Sequence, residues 1–115
     1  MDNVSYEELA GWLESTKHVG SIGITAKFYV KEDQVDKFCE VMKNNVEHTQ
    51  GEAGMLVYKL HADFKESNIF WLVEEWENVS YLKAHCSTEI FQRNGALINP
   101  LLKSPWQIGL YKALS

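Results

Sequence analysis

Residues 55–76 read MLVYKLHADFKESNIFWLVEEW, and the way this stretch folds decides the architecture. Met55–Ala62 and Ile69–Trp76 are rich in aliphatic and aromatic side chains, and the polar run 63–68 between them has the character of a hairpin connection. Two antiparallel strands follow. In the later strand Ile69, Trp71 and Val73 share one face and Phe70, Leu72, Glu74 and Trp76 the other, so the strand is apolar on both parities until its carboxylates.

Working outward, residues 22–30 form another strand, with Ile22, Ile24, Ala26, Phe28 and Val30 on one parity and Thr25, Lys27 and Tyr29 on the other. Asp33 is placed to cap a helix whose apolar face is Val35, Phe38, Cys39, Met42 and Val46, ending near Gly51. Gly54 marks the turn into the 55–62 strand. Beyond Trp76, Asn78 or Ser80 caps a helix carrying Leu82, His85 and Cys86. Ser87 and Thr88 interrupt it, and a further helical segment carries Ile90, Phe91 and Leu97. Pro100 and Pro105 precede a last strand over residues 106–113. Residues 1–20 stand apart as a helical extension with a capping box, Ser5 and Glu8, and a stripe of Tyr6, Leu9, Trp12 and Leu13.

Residues 21–115 thus read strand-helix-strand-strand-helix-strand, the α+β ferredoxin-like order with both helices on one face of an antiparallel sheet. The other face is left bare, and a second copy of the chain is its simplest cover. A homodimer is therefore expected, with Trp71 filling its interface.

At 115 residues the chain has room for one such domain. Its net charge of −5 comes without any Lys/Arg cluster, which argues against nucleic acid as a partner, and no apolar run is long enough to span a membrane. The N-terminus lacks a signal-peptide pattern, and a cytoplasmic location is expected, with Cys39 and Cys86 as free thiols. No phosphate loop, GxSxG elbow or CxxC occurs, and the four histidines show no metal-ligand spacing; no metal is expected.

Glu52-Ala53-Gly54, Tyr58, Glu74-Glu75-Trp76, Leu82, Ala84-His85 and Phe91, in this order, resemble the antibiotic-biosynthesis-monooxygenase domain over residues 22–113. The resemblance implies a dimeric α/β barrel and a cofactor-independent monooxygenase acting on a small aromatic or quinol-type substrate. A haem-binding or haem-degrading protein and a non-catalytic dimeric stress-related protein are the alternatives it leaves open. Two departures stand out. Ile90 occupies a position where many members carry a second histidine, and the first strand lacks the asparagine of haem-degrading relatives.

His85 is the leading candidate for chemistry, since a neutral imidazole takes a phenolic proton near pH 7; the competing reading is a packed helix histidine with one nitrogen in water. Glu74 is expected to orient His85 or to hold a substrate hydroxyl, against the alternative of a sheet-end carboxylate paired with Lys or backbone. Trp76, Tyr58, Phe28 and Phe91 are expected to shape the substrate pocket. His61 reads as solvated, and His48 as a helix C-terminal residue favoured by the helix dipole.

Overall fold

The computed structural model describes residues 5–114; residues 1–4 of the expected extension, and Ser115, lie outside them. Helix α1 (Tyr6–Ser15) opens with Ser5 accepting from the Glu8 amide while Glu8 reaches back to the Ser5 amide, the expected capping box. Strand β1 (Ile22–Tyr29), helix α2 (Val35–Thr49), strands β2 (Met55–Ala62) and β3 (Ile69–Trp76), helices α3 (Val79–Cys86) and α4 (Glu89–Ile98), and strand β4 (Gln107–Lys112) follow. The four strands pair antiparallel in the order β2-β3-β1-β4. This is the ferredoxin-like α+β arrangement with an additional N-terminal helix.

The alternation read from the sequence sets the layers. Ile22, Ile24, Ala26 and Phe28 of β1 are buried, as are Phe70, Leu72, Glu74 and Trp76 of β3, while their neighbours are only half-buried. On the half-buried face Lys27 sits 4.8 Å above the ring of Tyr29 and 4.9 Å above that of Trp71, whose indole N–H donates to Asp63 at 3.0 Å.

Two local details differ from expectation and two agree with it. Asp33 lies inside a 3-10 turn over Glu32–Gln34, so Gln34 precedes α2 and makes no side-chain cap. The buried face of α2 is Phe38, Val41, Met42, Asn45 and Thr49, rotated from the predicted stripe; Val35, Cys39 and Val46 sit at its margin. The segment 87–88 is a true break, because the Thr88 hydroxyl caps α4 by accepting from the Phe91 amide at 3.2 Å. Asn78, not Ser80, caps α3. Among the described residues no helix is long and apolar enough to cross a membrane.

Candidate functional site

Between the sheet and helices α1, α2, α3 and α4 the side chains leave about 30 Å³ of free space, enclosed mostly by apolar groups. Its polar groups come from five elements. Register places Glu74 of β3 between Tyr58 of β2 and Ile24 of β1, at the middle of the sheet. Asn45 projects from α2, His85 from α3 and Asn94 from α4.

His85 is 1% exposed. Its ring is packed against Trp76 at 4.7 Å, Phe91 at 5.0 Å and Tyr58 at 5.2 Å between centroids. Nδ1 lies 2.8 Å from Glu52 Oε1, while Nε2 is buried without a hydrogen-bond partner. An acidic acceptor on Nδ1 assigns the proton there, leaving Nε2 as a bare lone pair on a ring that lines the cavity. Burial pulls the imidazole pKa below its usual value, against the opposing pull of the Glu52 carboxylate, so the ring is held neutral.

The geometry behind that pair is local. Glu52 lies in the turn between α2 and β2, and Gly54 at φ +79° lets the chain reverse there. The Tyr81 ring lies directly over Gly54, only 2.2 Å from where a β-carbon would stand. Gly54 C=O also accepts from the Glu77 amide at 2.8 Å. These contacts clamp the start of α3 onto the turn and bring Glu52 to His85.

Glu74 does not orient His85, contrary to expectation. Its Oε1 accepts from the indole N–H of Trp76 at 2.9 Å, two residues along the same strand face. Burial raises its pKa to about 7, with the charge of Glu52 adding to the rise and the Trp76 bond opposing it. Near neutral pH this carboxyl is therefore poised between acid and base. Facing it, the Tyr58 hydroxyl accepts from Asn45 Nδ2 at 2.6 Å, and Asn45 Oδ1 accepts from Asn94 Nδ2 at 3.0 Å. Burial also lifts the Tyr58 phenol well above its ordinary value, so it stays protonated. The Cys86 thiol at the cavity wall is pushed up to about 12 by burial and by the nearby carboxylates, which rules out a reactive thiolate.

Of the six residues expected at the site, His85, Glu74, Tyr58 and Phe91 line the cavity. Trp76 does not; fully buried, it backs His85 and Glu74 from behind. Phe28 does not either, because it is turned into a separate aromatic layer with Phe38 at 5.2 Å and Trp106 at 5.2 Å. Sequence reasoning missed Asn45, Asn94 and the pairing role of Glu52. Asn45 and Asn94 left no pattern signal, because a hydropathy stripe assigns polar side chains to the outside of a helix. His61 is exposed, and His48 hydrogen-bonds the Asn44 carbonyl near the end of α2. Among the described residues no group of three or more His, Cys, Asp and Glu side chains could hold a metal ion.

No curated protein sequence matches this chain. Solved structures do. A candidate antibiotic biosynthesis monooxygenase from Caulobacter crescentus CB15 superposes with a TM-score of 0.80 at 26% identity, over 84% of this chain and 92% of its own. A conserved protein of Methanosarcina mazei Go1 gives 0.79 at 26% identity, over 81% and 92%. A structure described as an antibiotic biosynthesis monooxygenase gives 0.78 at 30% identity, over 82% and 99%. The sequence model of that family matches residues 21–94, which carry Glu52, Tyr58, Glu74 and His85. With the fold, the order of motifs and the family match in agreement, the chain belongs to the antibiotic biosynthesis monooxygenase family.

Proposed function

We propose that the protein is a cofactor-independent monooxygenase of a small phenol or quinol-type aromatic, with His85 as the base. The carrying observation is the unpartnered Nε2 of His85, buried among three aromatic rings while Nδ1 is tied to Glu52. A buried nitrogen with no partner costs about 1–3 kcal/mol unless something occupies it, and a substrate hydroxyl is a suitable occupant. Nε2 takes the phenolic proton, and the Glu52 carboxylate stabilises the imidazolium that forms.

The phenolate is electron-rich enough to react with oxygen directly. One oxygen atom bonds the ring carbon and the other leaves as water with two hydrogens from the substrate, so that phenol plus oxygen balances as quinone plus water. The substrate is oxidised and no external reductant enters. Glu74, with a pKa of about 7, can return a proton to the departing oxygen, and Asn45 and Tyr58 offer polar contacts to a ring substituent. The apolar walls keep bulk water from the intermediate.

The same reading makes the protein a cytoplasmic homodimer joined through the half-buried sheet face that carries Trp71, Tyr29 and Val73.

Oxygen uptake with phenols, hydroquinones and anthrones tests the assignment. Turnover is expected with at least one class, to fall by roughly 10²–10⁴-fold in His85→Ala. Uptake that His85→Ala leaves unchanged would remove the proposed base.

A further inference from the structure

We infer that helix α1 is the specificity gate of this cavity, with Leu9 setting the size of ring admitted and Tyr6 sealing the way in. The inference rests on the aromatic-substrate reading and adds which part of the chain chooses the substrate. Helix α1 precedes the family-matched span of residues 21–94, yet Leu9 is 4% exposed and forms part of the cavity wall. The free space beneath it has room for about two water molecules, not for an aromatic ring. A ring therefore enters only if a wall gives way.

The wall most suited to yield is α1. Outside it, a groove of about 710 Å³ runs between the start of α1, α4 and the segment before β4. Groove and cavity share Phe91, Gly95 and Trp106 as common walls, so only a thin layer divides them. Tyr6 stands in the groove at that layer, its ring stacked 6.0 Å from Trp106 at 15° and 5.8 Å from Phe91. Leu9, one helical turn further on, points to the cavity.

The polar ties of α1 to the rest of the molecule are light. Gln92 donates to the Tyr6 hydroxyl at 3.4 Å, and Lys83 pairs with Glu14 at 3.3 Å in an exposed position. The connection to β1 contains Gly20 at φ +100°. Lifting the first turn of α1 opens the groove onto the cavity without disturbing the sheet.

The test is calorimetric titration of the full chain with phenol and 1-naphthol, which offer the same hydroxyl on one ring or two. Leu9→Ala is expected to shift the ratio of the two dissociation constants toward 1-naphthol by about tenfold. Leu9→Val, a milder truncation, shifts it in the same direction by less and serves if Leu9→Ala fails to fold. Tyr6→Ala is expected to speed association of phenol about threefold in stopped-flow quenching of tryptophan fluorescence. If both probes bind and the folded Leu9 variants keep the wild-type ratio, the gate falls while the cavity assignment stands. If neither probe binds wild type or any variant, the aromatic-cavity reading falls and the gate with it.

Discussion

The function proposed for this chain rests on a few buried polar atoms whose protonation is set by what surrounds them. Glu52 reaches His85 across 33 residues of sequence, and removing its charge leaves the imidazole less basic. Glu52→Gln is expected to lower kcat/KM roughly 10–100-fold and to move the acid limb of its pH profile downward, as steady-state kinetics across pH would report. A merely structural Glu52 would leave that limb in place. Glu74 makes the opposite kind of prediction. Its folded pKa of about 7 lies above the ordinary carboxyl value of 4.5, so the native state holds a proton that the unfolded chain releases between those limits. Its favourable contribution is complete below pH 4.5 and is lost as pH rises through 7, a loss on the order of 3 kcal/mol. Glu74→Gln should flatten that part of the stability curve in denaturant titrations at pH 5 and pH 8. His85, with a depressed pKa, contributes with the reverse sign, losing stability as pH falls below its unfolded value of 6.5. His85 and Glu74 were legible in the sequence because a polar group on an apolar strand or helix face demands a reason. The partner of His85 was not, because the Glu52 bond joins a turn to a distant helix and leaves no local pattern.

At the level of elements, β1 follows from alternation, β2 and β3 from aliphatic and aromatic runs on either side of a polar connection, and the helix starts largely from capping residues. Ser5, Asn78 and Thr88 each accept an amide hydrogen at a helix start. The face of α2 was misread by part of a turn because Asn45 and Thr49 are buried there, and a hydropathy pattern assigns polar residues to the outside. Their burial is tolerated since Asn45 bonds Tyr58 and Asn94, and the Thr49 hydroxyl donates to the Asn45 carbonyl at 2.7 Å. The turn before β2 makes the sharpest demand. Gly54→Ala would put a β-carbon into the Tyr81 ring at a positive φ and is expected to destabilise by roughly 2–4 kcal/mol. Because that contact seats α3 against Glu52, weakening the Glu52–His85 pair should also move the His85 imidazole titration to lower pH in NMR, the direction expected of Glu52→Gln, which a substitution acting on stability alone would not do.

Across the whole molecule, helices cover one side of the sheet and nothing among the described residues covers the other. If the proposed homodimer forms through the bare face, wild type sediments as a dimer at micromolar concentration and Trp71→Lys as a monomer with its far-ultraviolet circular dichroism retained; a wild-type monomer, or an unchanged mass in the variant, would remove the proposed contact. The succession of strands and helices, the buried parity of β1 and β3 and the presence of α1 follow from the sequence alone, because periods of 2 and 3.6 residues are properties of a local stretch and survive without knowledge of its neighbours. The cavity, the Glu52–His85 and Asn45–Tyr58–Asn94 linkages, and the exclusion of Phe28 and Trp76 from the cavity wall were decided by the tertiary structure. Each depends on where side chains from separate elements meet, and that distance is determined by packing of the complete fold.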